Sequence, residues 1–315
     1  MEYGFGVDLG GTAVKIGFYH VSGKLLDKWE IPTDTADNGA KILPDIALEV
    51  DNYMAQHKIP RDNVLGIGIG VPGPVDDEGN VNRCVNLGWG VFNIHKELEK
   101  LTGFPVKAGN DANVAALGEC WQGAAKGHSN VVMLTLGTGV GGGIILGGKV
   151  LPGTHGAAGE IGHMVLEPEE KELCGCGKTG CAEQYCSATG VVNVAKRYLK
   201  LSFDPSVLRK EEPLTCKDVF DAAAEGDAAA IDILEQVYRY LGILTANICG
   251  VVNPEVVVIG GGVSKAGTVL LEGIEKHFKQ YAFHAVQNVE FTLATLGNDA
   301  GTCGAFRLIQ QAREK

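Results

Sequence analysis

Apolar residues along the chain follow two periods, and the alternating one recurs in the same grammar in each half. Phe5-Gly6-Val7-Asp8-Leu9 reads as a strand, Gly10-Gly11-Thr12 as a turn, and Ala13-Val14-Lys15-Ile16-Gly17-Phe18 as the returning strand. Val131 to Leu136, Gly137-Thr138-Gly139 and Val140 to Leu146 repeat the pattern, and each hairpin runs into a Gly-Lys turn, Gly23-Lys24 or Gly148-Lys149. Two such hairpins, each opening one half of the chain, predict an internal repeat of two related lobes. Between them Ile42, Leu43, Ile46, Ala47, Val50 and Met54 recur at helical spacing, which predicts a helix over about 40–57. Val64 to Val71 reads as a buried strand ending at Pro72-Gly73-Pro74. A loop rich in Asn and Gly follows, Asp76 to Gly90, then a short strand Val106-Lys107-Ala108 and a helix opened by Asn110-Asp111. The second half carries helices near 189–200, 217–225, 228–249 and 265–281. A strand from Glu255 to Ile259 runs into Gly260-Gly261-Gly262, and a last helix spans Ala305 to Ala312. Mixed strands and helices in both halves make the chain α/β. The division is drawn at residue 110: a first lobe of residues 1–110, to which a C-terminal helix at about 302–315 returns, and a second lobe of 111–301.

With 315 residues, 45% of them hydrophobic, the chain is long enough for one large or two ordinary packed domains. Its 45 glycines exceed the usual ~7% share and cluster between apolar runs without a repeat period, which points to tight turns or ligand loops. A net charge of -11 repels phosphate backbones, so nucleic acid is not expected as a partner. Any phosphate-bearing ligand needs backbone donors or a divalent cation to offset that charge. No stretch approaches the ~20 apolar residues of a membrane span, and Met1-Glu2-Tyr3-Gly4 does not read as a signal peptide. Nine cysteines are an odd number for a disulfide framework, and four fall within Cys174–Cys186. A reduced, cytoplasmic protein with one local cysteine site is expected.

Two Gly-x-Gly-x-x-Gly matches, at Gly137–Gly142 and Gly175–Gly180, are not dinucleotide fingerprints. The first precedes a strand where that fingerprint must open a helix, and the second lies inside the cysteine cluster. The turn Asp8-Leu9-Gly10-Gly11-Thr12 is a stronger candidate than an ordinary hairpin. Paired glycines let backbone N–H groups approach an anion, Thr12 adds a hydroxyl, and Asp8 is placed for a hydrated Mg²⁺. Gly137, Thr138 and Gly139 offer the same equipment, and two facing turns make a clamp for a nucleotide triphosphate. Two roles compete at Asp111: N-cap of the Ala-rich helix, or general base for a hydroxyl proton, kept ionised by the helix N-terminus. Cys174, Cys176 and Cys181, with His163 nearby, match a Cys₃His structural zinc site, with Cys186 and His155 as alternative ligands. Folding around zinc brings Glu160 and Glu183 together beside His163, whose second nitrogen can then meet a ligand hydroxyl.

The Asp8–Thr12 turn, Asn110-Asp111, the Glu-x-Gly-His of 160–163 and the Cys-x-Cys-Gly-x-x-Gly-Cys-x-Glu of 174–183 together resemble the ROK-family sugar kinases, and within them the bacterial ATP-dependent glucokinases. The resemblance covers essentially the whole chain. It implies a two-lobed actin-like ATPase (ribonuclease H-like) fold with duplicated α/β domains, a small zinc module, and sugar and ATP in the cleft. It also implies ATP- and Mg²⁺-dependent phosphorylation of glucose at the 6-hydroxyl, giving glucose 6-phosphate and ADP, with Asp111 as the base. Carried over by motif, Asn86, Asn110, Asp111, Glu160, His163 and Glu183 bind the sugar, and His163, Cys174, Cys176 and Cys181 bind zinc. Asp8, Gly10, Gly11, Thr12, Lys15, Gly137, Thr138 and Gly139 serve the phosphates, and Gly261 and Gly262 the adenosine, although Gly260-Gly261-Gly262 also reads as a strand-to-helix turn capped by Ser264. A homodimer or homotetramer is expected. Kinases of N-acetylmannosamine or N-acetylglucosamine share these motifs and are the alternative. Sugar-responsive repressors of the family carry an N-terminal helix-turn-helix, for which the turn at Asp8 leaves no room, and a non-catalytic sensor conflicts with the intact Asp111 and phosphate turns.

Overall fold

The computed structural model describes residues 1–210 and 212–314. Its strands are β1 (Tyr3–Leu9), β2 (Ala13–His20), β3 (Leu25–Pro32), β4 (Val64–Val71), β5 (Asn80–Cys84) and β6 (Trp89–Asn93). They continue as β7 (Val106–Asn110), β8 (Val131–Leu136), β9 (Val140–Leu146), β10 (Lys149–Val150), β11 (Val256–Gly260) and β12 (Glu290–Leu293). The helices are α1 (Ala36–Gly39), α2 (Ile42–His57), α3 (Ile94–Thr102), α4 (Asp111–Gln122) and α5 (Glu183–Cys186). After them come α6 (Ala188–Leu201), α7 (Cys216–Ala224), α8 (Ala228–Val252), α9 (Thr268–Tyr281) and α10 (Ala300–Arg313).

The predicted repeat is visible in the sheets. One has the strand order β3-β2-β1-β4-β7 and the other β10-β9-β8-β11-β12. In each, a Gly-turn hairpin occupies one side and two parallel pairings the other. Contacts divide the chain into unit 1, Met1–Ser129 with Gly143–Gly159 and Thr295–Lys315, and unit 2, Asn130–Gly142 with Glu160–Ala294. The division expected at residue 110 differs from this one. Helix α4 belongs to unit 1 because it packs on α10 and β4. Helix α10 lies in unit 1, and residue 315 of the span expected for it lies outside the described residues. Among the described residues no helix is long and apolar enough to cross a membrane.

Strand β4 reads Val64-Leu65-Gly66-Ile67-Gly68-Ile69-Gly70-Val71 and is buried throughout. The period of two puts Ile67 and Ile69 on one face, in a core shared with Ile42, Ile46 and Val50 of α2 and Leu98 of α3. The glycines take the other face, against helices. A β-carbon at Gly68 would strike the Ala305 carbonyl of α10, and one at Gly6 of β1 the Thr302 carbonyl. Between α4 and α10 the same device recurs, with Gly118 against Ala300 and Gly304 against Val114. The fully buried Glu119 then ties α4 to the entry of α10. Its carboxylate accepts from the amides of Ala124 (2.8 Å), Thr295 (3.1 Å) and Leu296 (2.8 Å).

Several elements differ from the sequence expectation, which did not include β3, α1, α3 or β12. The Asn- and Gly-rich loop 76–90 contains β5 and the start of β6, a hairpin whose Val81, Cys84 and Trp89 are buried. Helix α10 starts at Ala300 rather than Ala305, because close packing outweighs the poor helix propensity of Gly301 and Gly304. The helix expected from 265 starts at Thr268, after a 3₁₀ turn Gly262–Ala266.

The outer edge of β7 is closed by side chains of α3. Glu99 Oε1 accepts from the Val106 amide at 3.1 Å and His95 Nε2 from the Ala108 amide at 2.9 Å. Burial, followed by the Lys107 charge, lowers the His95 pKa below its ordinary 6.5 despite opposing carboxylates at Glu99, Asp76 and Asp77. The folded state therefore keeps a neutral imidazole where the unfolded chain takes up a proton.

Two outcomes follow from this packing. Alanine is the better helix former by about 1 kcal/mol, yet Gly304→Ala forces α4 and α10 apart and lowers stability by about 1–3 kcal/mol, read from the urea midpoint. Stability also falls as pH drops below about 6.5, the unfolded imidazole value, and is fully present above it. Denaturation midpoints across pH 5–8 should show a slope smaller by as much as one proton in His95→Gln.

Candidate functional site

Strands β1 and β2 pair antiparallel as far as Leu9 and Val14, and the Gly10 amide closes the turn on the Ala13 carbonyl at 3.0 Å. Thr33 clamps it from β3's end, donating its amide to the Thr12 carbonyl (3.0 Å) and its hydroxyl to the Gly10 carbonyl (2.7 Å). Gly11 and Thr12 are exposed, and a β-carbon at Gly11 would meet nothing, so the turn offers backbone to an approaching anion. Asp8 lies opposite Lys15 in the register, with Oδ2 3.6 Å from Nζ. Burial raises the Asp8 pKa and Lys15 pulls it back. Lys15 is thus an ion-pair partner of Asp8 here. Gly301, in the first turn of α10, lies against the Asp8 carboxyl group, where a β-carbon would collide with it.

At the end of β7 the competition over the helix cap is decided by geometry. Asn110 is the N-cap of α4: its Oδ1 accepts from the amides of Ala112 (3.0 Å) and Asn113 (3.2 Å), and its Nδ2 donates to the Gly73 carbonyl at 3.3 Å. Asp111 is the first helical residue, half-buried, with Oδ1 accepting from the Ala112 amide at 2.8 Å. The cap role weighed for Asp111 passes to its neighbour. Asn86 is exposed on a 3₁₀ turn, Val85–Leu87, that buries Leu87. Beside it the buried Cys84 donates to the Pro72 carbonyl at 2.9 Å, and burial, reinforced by the nearby Asp111 charge, raises its thiol pKa.

Two supporting residues were not legible as such in the sequence. Asn113 is buried, accepts from the Ile144 amide (3.2 Å) and donates to the Ala158 carbonyl (3.1 Å), joining α4 to β9 and to the loop before Glu160. His95 braces β7 three residues before Asp111's helix. The only available signal was the Asn-Asp-x-Asn run, which marks Asn113 but not its partners.

In unit 2, the Gly137 amide donates to the Gly139 carbonyl at 3.0 Å, and the Ala188 amide at the start of α6 donates to the Gly137 carbonyl at 2.8 Å. Thr138 is exposed between them. Gly261 has φ +85°, and a β-carbon there would strike the backbone of Leu136, so the Gly260-Gly261-Gly262 bend is laid against the strand that enters the second turn. Ser264 does not cap this bend. Its hydroxyl donates to the Gly261 carbonyl at 2.7 Å.

The cysteine segment folds back on itself. The Cys174 amide donates to the Lys178 carbonyl (2.7 Å) and the Gly177 amide to the Cys174 carbonyl (2.8 Å). Gly180, at φ +74°, packs directly on the Glu167 carbonyl. These bends gather His163, Cys174, Cys176 and Cys181, whose ligand atoms all lie within 4.8 Å of one another. Cys174 Sγ is 3.9 Å from His163 Nδ1, and the Cys176 and Cys181 sulfurs are 3.6 Å apart. Cys186 and His155 are not in the group, and Cys186 is fully buried with its thiol pKa pushed up. The donor set fits a tetrahedral Cys₃His cation site. The Lys178 amide pulls the Cys176 thiol down, while burial raises Cys174 and takes Cys181 to about 12.

Glu183 opens α5 directly after these ligands. Its Oε2 accepts from the Val140 amide at 2.9 Å, and its Oε1 lies 3.6 Å from Cys174 Sγ. Glu160 is exposed, and its carbonyl accepts from the His163 amide at 3.2 Å. Asn86, Asn110 and Asp111 therefore belong to unit 1, and Glu160, His163 and Glu183 to unit 2.

Residues 4–312 match the family model described as ROK family. The chain is 46% identical over 316 residues to the glucokinase of Halalkalibacterium halodurans, covering 97% of this chain and 94% of that one. An N-acetyl-D-glucosamine kinase of Vibrio cholerae is 32% identical over 97% of this chain and 98% of its own. Among solved structures, a ROK family glucokinase from Streptomyces griseus in complex with glucose and AMPPNP superposes with a TM-score of 0.76 at 33% identity, covering 98% and 99% of the two chains. The α/β architecture with its two mixed sheets is that of ROK sugar kinases, in the actin-like ATPase class. By near full-length match to both a family model and its sequence relatives, the chain belongs to the ROK family.

Proposed function

We propose that the protein is an ATP-dependent glucokinase, transferring the γ-phosphoryl group of ATP to the 6-hydroxyl of glucose and releasing glucose 6-phosphate and ADP. The observation that carries this is Asp111, set in the first turn of α4 with the capping duty taken by Asn110, in a chain 46% identical to a glucokinase. Phosphoryl transfer passes through a loose transition state, so most of the work is positioning and charge neutralisation. Asp111 takes the hydroxyl proton as the acceptor oxygen attacks, a role that asks only for an ionised carboxylate within hydrogen-bond reach. Asn86, Asn110, Glu160, His163 and Glu183 are read as ligands of the sugar hydroxyls. Carboxylates and amides suit a polyol, and one missing hydroxyl leaves such a site with unpaired polar groups, a loss of ~10⁴ or more.

Gly10, Gly11 and Thr12 with Gly137, Thr138 and Gly139 are read as the phosphate turns, and Gly261 and Gly262 as the adenosine platform. Asp8, half-buried beside one ammonium, has the chemistry to orient waters on Mg²⁺, which when bound neutralises phosphate charge. Lys15 serves by holding Asp8. His163, Cys174, Cys176 and Cys181 would hold a structural zinc, with His163 binding through Nδ1 and keeping Nε2 for a hydroxyl. A reducing cytoplasm is part of this reading, with the cysteines outside the cluster as free thiols. A homodimer or homotetramer is part of this reading and is tested by light scattering.

A second reading, an N-acetylhexosamine kinase, is favoured by the 32% identical relative. Glucose, mannose, N-acetylglucosamine and N-acetylmannosamine, each offered with ATP and with polyphosphate, separate the two. ADP release with glucose is the expected result, and a clear preference for an N-acetylated hexose moves the assignment to the second reading. Asp111→Asn should lower kcat by about 10²–10⁴ while glucose still binds. Near-normal turnover in steady-state assays would reduce Asp111 to a helix residue.

A further inference from the structure

We infer that Glu183 is a positioning residue for the second phosphate turn, so that one carboxylate serves both substrates. The inference rests on the glucokinase reading and deepens it. The turn Gly137-Thr138-Gly139 carries glycines on both sides of Thr138, so little in its own sequence fixes where its amides point. Two outside contacts do so. The Ala188 amide holds the Gly137 carbonyl, and Glu183 Oε2 accepts from the Val140 amide on the other side of the turn. The approach is close enough that a β-carbon at Gly139 would collide with Oε2. A charged acceptor makes this a strong backbone anchor.

The other oxygen of the same carboxylate faces the cysteine cluster, 3.6 Å from Cys174 Sγ. Oε2 is committed to the turn, and a sugar hydroxyl would be met at Oε1. Glu183 is itself held at both ends of α5: its carbonyl accepts from Ser187 Oγ at 2.7 Å, and the preceding Ala182 amide donates to the Met164 carbonyl at 2.8 Å. Sugar bound at Oε1 and phosphate bound at the turn are thereby coupled through one rigid side chain, and such coupling is reciprocal.

The test measures AMPPNP binding with Mg²⁺ by calorimetry in the absence of any sugar, with zinc per chain checked by mass spectrometry. Glu183→Ala should weaken AMPPNP about tenfold, a shift that a residue serving only the sugar does not produce. Glu183→Gln keeps an acceptor for the Val140 amide, so its nucleotide affinity should stay near wild type while its glucose KM rises. Should Glu183→Ala lose its metal, Glu183→Asp carries the same test, because its carboxylate is drawn back by one methylene from Val140. Wild-type AMPPNP affinity in a folded Glu183→Ala or Glu183→Asp overturns the inference. A wild-type protein that binds AMPPNP but phosphorylates no hexose defeats the glucokinase reading alone, and one that binds no AMPPNP defeats both.

Discussion

Unit 1 depends on one constraint, the near-contact of backbones between α10 and the elements beneath it. Gly6 and Gly68 admit the helix onto the sheet, and Gly118 and Gly304 admit it onto α4. Side chains at these positions would hold the layers at ordinary spacing. Without them, Gly301 comes up against the Asp8 carboxyl group, and Gly70 of β4 lies beside the backbone of Asp111. The acid that precedes the first turn and the carboxylate read as the base are thus placed by this backbone packing, and close-packed interiors transmit such spacing with little slack.

The carboxylates show how burial sorts similar groups into different work. Glu119 is fully enclosed but saturated by backbone donors, and it acts as a rivet. Glu170, beside the cysteine segment, accepts from the Glu172 amide, Tyr185 and Arg197, which hold it down at about 2 against its burial and pin the segment to α6. Asp8 is pushed the other way by burial with only Lys15 against it. Glu183 is divided between a backbone amide and the thiol cluster. Only the last two keep capacity for a ligand, because their partners do not fill every lone pair.

Much of this was readable in advance where the signal was local. The paired hairpins announced two equivalent sheets, and the spacing of Cys174, Cys176 and Cys181 with His163 announced the cluster that the chain assembles. Alternation of Ile and Gly in β4 identified a buried strand, yet not that its glycine face would receive a helix. The hairpin β5–β6 was hidden because Asn and Gly dominate it and a few residues, Val81, Cys84, Leu87 and Trp89, carry its buried side. Asn110 and Asp111 are both good N-caps, and their order could be settled only by the register at the end of β7.

The sequence by itself determined what lies within a few residues of each motif: turn chemistry, helix and strand periods, and a thiol set close enough in the chain to close on one ion. Tertiary structure decided everything that joins distant segments. It put α4 in unit 1 against a helix nearly two hundred residues later, gave His95 and Asn113 their bracing roles, and set one oxygen of Glu183 on the amide of Val140. Local preferences come from steric and hydrogen-bond effects that each residue carries with it. Long-range partners arise only when the whole core closes, so no window of the sequence contains them.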